Sequence, residues 1–151
     1  MVNSGFIDLK RHSDSYGNLV AIEECKDIPF DIKRVYYIYQ VDEGVRRGFH
    51  SHRNLHQVLI CVHGSVKILV KNPHEEEIVT LDDPSKGLYI GPMLWREMYD
   101  FEDGAVLLVL ASEYYDISDY IREYPVYEKE AADYVFDNSE NLLLSKGKEV
   151  E

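Results

Sequence analysis

The chain has 151 residues, with 28 acidic against 16 basic side chains, a formal net charge of -12 and 45% hydrophobic residues. That length and apolar content suit one compact domain with a real core, and the negative field excludes general binding to nucleic acid or to an anionic membrane surface. No run of about 18 apolar residues occurs and the N-terminus MVNSGFIDLK lacks a basic-then-apolar order, so neither a membrane span nor export is expected and the cytoplasm is the expected location.

Short runs rich in β-formers follow one another: Val35 to Val41, His56 to Val62, Val66 to Val70, Ile78 to Leu81, Leu88 to Ile90 and Ala105 to Ala111. Gly64, Asn72-Pro73, Asp82-Asp83-Pro84, Gly91-Pro92 and Asp103-Gly104 separate them. Many short strands with regular turn signals predict an all-β sandwich or barrel. On the first of these strands Arg34 and Tyr36 share one face, Val35 and Tyr37 the other. Ser118 to Arg122 reads as a short capped turn of helix. From Glu128 onward, apolar clusters (Tyr134 to Phe136, Leu142 to Leu144) among acidic residues read as a terminal helix or a frayed tail. Cys25 and Cys61 are too few for a disulfide framework and carry no expected chemistry.

Charge is distributed unevenly. From Gly44 to His74 there is no Asp or Glu, while Arg46, Arg47, Arg53, Lys67, Lys71 and five of the six histidines fall there. A segment kept free of carboxylates predicts a local positive site. Within it His50 and His52 lie on one strand face, with Cα atoms about 6.5 Å apart by strand geometry. Two imidazoles beside Arg47 and Arg53, away from any carboxylate, have lowered pKa values and remain neutral bases at pH 7. A tight turn at Arg53-Asn54-Leu55 would return the next strand alongside the first and bring His56 or Gln57 toward the pair. His63 and His74, beside turns, read as structural.

The spacing of Gly44, His50, His52 and Gly64 resembles the first motif of the cupin superfamily, in which two histidines, a glutamate and a later histidine hold a metal. Here Gln57 stands where that glutamate stands, and Leu88 to Glu97 offers no histidine. A neutral amide is a poor substitute for a carboxylate on a divalent ion, so no metal is expected; His56 is the residue that would keep one in play.

The likeness extends further. The combination RGFHxH (Arg47 to His52), LHQVL (Leu55 to Leu59), WxEMYDF (Trp95 to Phe101) and LASxYYDxxDYIR (Leu110 to Arg122), within a match from about Asp14 to Tyr127, resembles the sugar 3,4-ketoisomerase family of dTDP-4-keto-6-deoxyglucose. The resemblance implies a metal-independent cupin jelly roll with a short C-terminal helix, residues 1–127 forming the domain and 128–151 its helical or frayed tail. It implies a homodimer, with no cofactor, that moves the ketone of a dTDP-linked 4-keto-6-deoxyhexose from C4 to C3. The product would feed an aminotransferase making 3-amino-3,6-dideoxysugars for surface glycans or secondary metabolites. The family's catalytic residues map onto His50 and His52; the spacing does not decide which of them is the carbon base, and His52 is taken for it. Arg34, Tyr36, Arg47, Gln57, Trp95 and Arg96 form the expected substrate-binding set. Among them Arg47 could equally be a solvated rim charge, and Trp95 either stacks on the thymine or closes the barrel by packing. Arg96 stands where a histidine is common in the family, and Ser15 to Asn18 is a region where members differ and where the face of C4 protonation could be set. Three rival readings share the fold: a sugar-nucleotide 3,5-epimerase, a metal-dependent cupin using His50, His52 and His56, and a non-catalytic sugar-binding cupin.

Overall fold

The computed structural model describes residues 1–136. The Leu142 to Leu144 cluster and the rest of the expected tail lie outside the described residues. The strands are β1 (Ser4–Asp8), β2 (Arg11–Asp14), β3 (Gly17–Val20), β4 (Arg34–Ile38), β5 (Arg47–His52), β6 (Gln57–Lys71), β7 (Glu76–Leu81), β8 (Lys86–Ile90), β9 (Trp95–Ala111) and β10 (Tyr120–Ile121), followed by helix α1 (Tyr124–Ala132). All pairings are antiparallel.

β6 and β9 pair along most of their length but in two sections. Gln57 to Cys61 face Leu107 to Ala111, and Lys67 to Lys71 face Trp95 to Tyr99, with register shifts between Cys61 and Lys67. The sequence signals read as chain reversals at Gly64 and at Asp103-Gly104 are instead corners within these two long strands. Gly64 has φ +71° and a Cβ there would overlap the Glu102 carbonyl, while Asp103 and Gly104 take φ of 56° and 68°. Only a residue free of a Cβ fits that close approach, so the strands bend there and the sheet curls over itself. One half then contains β1, β8, β4 and the sections of β6 and β9 that join them; the other contains β7, β5 and β10 with the remaining sections. This is a cupin-type jelly-roll barrel followed, among the described residues, by the short helix α1.

Alternation decides what fills it. Leu59, Cys61, Val66, Ile68, Leu88, Met98, Leu107 and Val109 form the interior cluster. Their neighbours Val58, Ile60, Tyr89 and Leu110 face outward under Leu9, Ile28 and Phe30 of the N-terminal segment. Each fully buried aliphatic side chain contributes about 1.5–3 kcal/mol. On the other flank α1 lays Tyr127 and Ala131 against Met93, Trp95 and Ile121, and a bidentate ion pair from Arg53 to Glu130 (2.8 and 2.9 Å) ties the helix to the end of β5.

Two local expectations change. β5 and β6 are not paired with each other, since β5 lies between β9 and β10. The segment at Ser118 contains only a 3₁₀ turn, Ile117–Asp119, capped by the Asp116 side chain; Tyr120 and Ile121 then extend to pair with His52 and Ser51. The open edge of β5 wins these two β-formers from helix.

Candidate active site

The site forms at one end of the barrel, where the inward-facing positions stop being aliphatic. On β4, β9 and β6 the neighbouring positions Arg34, Ala111 and Gln57 make one rung. β5 brings His50 opposite Arg96 through a bulge at Gly48 and Phe49, both with positive φ (93° and 52°). A Cβ on Gly48 would lie 2.9 Å from the Arg96 carbonyl oxygen, so glycine permits this strand to approach β9 and aim His50 inward.

His50 and His52 share the inward face as period-two alternation requires. Their rings are perpendicular with centroids 4.9 Å apart. Tyr120, paired with His52 across the ladder, packs its ring 4.2 Å from His52 and 5.2 Å from His50, and the Arg122 guanidinium lies over it at 4.4 Å. Opposite, a chain of polar contacts crosses the barrel. Arg96 donates through Nη1 to Gln57 Oε1 and through Nη2 to the Leu94 carbonyl at 3.0 Å; Gln57 Nε2 donates to the Tyr36 hydroxyl at 3.0 Å. Arg34 stands 5.2 Å from the ring of Tyr36 and 5.5 Å from that of Tyr115.

The electrostatics follow from burying a cation without a carboxylate hydrogen-bonded to it. Arg96 is 1% exposed, and burial pulls its guanidinium down to about 10, which still leaves it charged at pH 7. Burial first, and then Arg96, depress His50 to about 4, Arg122 adding and the Gly48 backbone opposing. The same two causes, joined by His50, Arg34 and Arg122, hold His52 far below the usual imidazole value. Both rings are therefore neutral at pH 7. Asp119 Oδ2 approaches His52 Nδ1 at 3.4 Å, too poorly aligned for a hydrogen bond. Among the described residues, Nδ1 of His50, both nitrogens of His52, and Nε of Arg34 and of Arg96 are buried without a hydrogen-bond partner. Unsatisfied polar atoms are rare in a native interior, and five converging at one end mark a surface prepared for a polar ligand. A cleft of about 570 Å³, walled by Arg34, His52, Asn54, Leu55, Tyr114, Tyr115 and Tyr120 and by the carboxylates Glu113, Asp116 and Asp119, opens beside them.

The structure thus gathers His50, His52, Arg34, Tyr36, Gln57 and Arg96. It does not gather Arg47 or Trp95. Arg47 is exposed at the start of β5 and outside the walls of the cleft. Trp95, adjacent to Arg96 on β9, is buried on the opposite face, edge-on to Tyr124 and in contact with Tyr127, with its indole N–H on Glu97. His56, the third ligand required by the metal-dependent alternative, points into the outer layer, where Nδ1 lies 2.7 Å from the Tyr89 hydroxyl and the ring packs near Phe30. The acid-free run is not the source of the positive field either. Arg46, Arg53 and Lys67 are paired by Glu97, Glu130 and Asp100, each delivered by another part of the fold. The positive charge at the site comes from Arg34, Arg96 and Arg122. Sequence reasoning also gave no role to Asp119, Tyr120 and Arg122; they fall within the LASxYYDxxDYIR stretch, legible as a signature but not as chemistry.

Comparison with known proteins places the chain in a family. A family model described as "FdtA: WxcM-like, C-terminal" matches residues 2–132. A TDP-4-oxo-6-deoxy-alpha-D-glucose-3,4-oxoisomerase from Aneurinibacillus thermoaerophilus is 50% identical over 123 residues, 82% of this chain and 88% of that protein. QdtA, a sugar 3,4-ketoisomerase from Thermoanaerobacterium thermosaccharolyticum solved in complex with TDP, is 62% identical with a TM-score of 0.85, over 86% of this chain and 95% of its own. A His-to-Asn mutant of the same enzyme, in complex with TDP-4-keto-6-deoxyglucose, superposes with a TM-score of 0.88 at 58% identity, over 91% of this chain and 99% of its own. By contrast NovW, a 4-keto-6-deoxy sugar epimerase from Streptomyces spheroides, shares the fold alone, at 21% identity and a TM-score of 0.67 over 78% of this chain and 67% of its own. Family model, sequence identity and fold coincide, and the chain belongs to the FdtA-like family of sugar 3,4-ketoisomerases.

Proposed function

We propose that this protein converts dTDP-4-keto-6-deoxyglucose into its 3-keto isomer by imidazole acid/base catalysis, without a metal. A proton leaves C3, its bonding pair forms the C3–C4 double bond, and O4 takes up a proton to give an enediol. O3 then gives up its proton as its carbonyl forms, and C4 is protonated. The net change moves one hydrogen from C3 to C4 and one from O3 to O4. Such a sequence needs a neutral base near two adjacent carbons and cations or donors near the oxygens that gain charge. His50 and His52 supply the first, His52 serving the carbons; Arg96, with Tyr36 and Gln57 linked to it, supplies the second. Arg34, with a free buried Nε at the cleft, suits the diphosphate. An anionic substrate beside Arg34 and Arg96 also screens the repulsion that depresses both histidines, raising their basicity when it is needed.

The observation that carries this reading is the pair of neutral, buried imidazoles set against an uncompensated buried Arg96. It is tested by incubating exhaustively chelated protein with the candidate substrate and following the product by NMR. A ketone at C3, formed by wild type and not by the His50→Asn/His52→Asn variant, is expected. In deuterated water, label at C3 and C5 with the ketone retained at C4 would make the protein an epimerase instead. The reading includes a cytoplasmic homodimer: β4 is hydrogen-bonded to β9, and its outward side chains Val35 and Tyr37, with Tyr39 just beyond its end, are 54%, 62% and 56% exposed, an apolar strip suited to a second copy. Sedimentation equilibrium distinguishes dimer from monomer.

A further inference from the structure

Asp119 has no part in the reaction as written, yet it is the carboxylate within ion-pair reach of the imidazole pair. It ends the 3₁₀ turn, whose cap Asp116 accepts from the Ser118 N–H and hydroxyl at 2.9 and 2.6 Å. Its carbonyl accepts from the Arg53 N–H and its Oδ1 from the Asn54 N–H, both at 2.9 Å. Backbone groups from the segment that follows β5 therefore fix the carboxylate from one side. Oδ2 remains, 3.4 Å from His52 Nδ1, with the Asp119 side chain 14% and that of His52 1% exposed. The next residue, Tyr120, covers the imidazole face.

We infer that Asp119 is a positioning residue whose carboxylate, 3.4 Å from Nδ1 of His52, favours the proton on that nitrogen, so that the neutral ring is held in the tautomer with its lone pair on Nε2. A neutral imidazole has one donor and one acceptor nitrogen, and the partner of one decides the role of the other. The groups around His52 are His50, Arg96, Arg34, Arg122, Tyr120 and Asp119. Of these the tyrosine hydroxyl and the neutral His50 ring can accept from Nδ1 as well, but Asp119 is the anion, and the arginines repel a proton, so the carboxylate selects the tautomer. Nε2, buried and without a hydrogen-bond partner among the described residues, is then the lone pair that can take a proton from carbon. At 3.4 Å the carboxylate acts on Nδ1 through its charge, which is little screened between two largely buried side chains. The use of that lone pair rests on the ketoisomerase reading; the tautomer does not.

The Asp119→Asn variant keeps the Oδ1 acceptor for Asn54 and presents an amide N–H₂ where Oδ2 stood. That donor selects the opposite tautomer. Imidazole ¹⁵N shifts of His52 are expected to show Nδ1 protonated and Nε2 bare in wild type, with the two exchanged in the variant. Turnover of dTDP-4-keto-6-deoxyglucose should fall by roughly 10²- to 10⁴-fold, with KM changed less than about threefold, and Asp119→Glu should recover part of the loss. Wild-type His52 protonated on Nε2, or an Asn variant with unchanged shifts and unchanged turnover, overturns the inference. If the Asn variant does not fold, the wild-type shifts decide alone. If wild type does not isomerise the sugar while the shifts exchange as expected, the ketoisomerase reading falls and the Asp119–His52 contact stands.

Discussion

On β6, Gln57 and Leu59 lie two residues apart on the same inward face and are 2% and 1% exposed, yet they belong to opposite media. Leu59 sits in a rung with Val109 and Leu88, above Ile68 and Leu107, all aliphatic. One rung away Gln57 joins Arg34, Arg96, Tyr36 and the histidines, with several polar atoms left unsatisfied. Burial alone therefore does not separate core from site in this barrel. Whether the buried polar groups are satisfied does, because a core without partners for them would be unstable and a site without them would be inert.

The two levels should fail in opposite ways. The largest effect is expected from His50→Asn/His52→Asn, which should lower turnover by more than roughly 10³-fold, about 4 kcal/mol in the barrier, while the thermal midpoint stays within a few degrees of wild type. Ile68→Ala, one level below, should do the reverse. Removing a fully buried aliphatic side chain costs about 2–5 kcal/mol of stability in urea titration, with turnover per folded molecule unchanged. Loss of stability in the first variant or of turnover in the second would erase the distinction.

Acid separates the levels as well. His50 has a folded pKa of about 4 against an ordinary 6.5, so between those values the unfolded chain takes up a proton that the folded chain refuses. Stability is complete above about pH 6.5 and is lost as pH falls toward 4, by on the order of 3 kcal/mol from His50, with His52 acting in the same direction. Urea titrations at pH 7, 6 and 5 should show the decline, and His50→Gln/His52→Gln should flatten it. A smaller effect is expected from Gly48→Ala, which must strain a positive φ and push against the Arg96 carbonyl. It should cost about 1–3 kcal/mol and reduce turnover through the displaced His50.

What could be read from the sequence depended on how far along the chain each contact reaches. His50 and His52 were legible because strand alternation is a local rule, as was the shared face of Arg34 and Tyr36. Gln57 was legible as a missing carboxylate, but its bond to Arg96, 39 residues on, was not. The carboxylate-free run misled for the same reason: Glu97, Glu130 and Asp100 come from distant segments and neutralise cations that looked unopposed. Gly64 and Gly104 were seen correctly as interruptions, yet a corner and a reversal use the same glycine, and only the facing strand decides between them.

The two faces of β9 give the finest form of the comparison, and the smallest predicted effect. Arg96 faces the cleft level; Trp95, its neighbour, is 4% exposed and lies against Tyr124 and Tyr127, centroids 5.0 and 5.4 Å away. Its indole N–H donates to Glu97 Oε2 at 3.2 Å, and Glu97 keeps its Arg46 partner at 2.9 Å if that bond is lost. Trp95→Phe should therefore cost about 1 kcal/mol, the worth of one hydrogen bond, and leave KM for the nucleotide sugar within about twofold. An indole that stacked on the base would give the opposite result, a several-fold rise in KM at little cost in stability. The ratio of the two effects thus tests whether β9 really divides its neighbours between packing and chemistry.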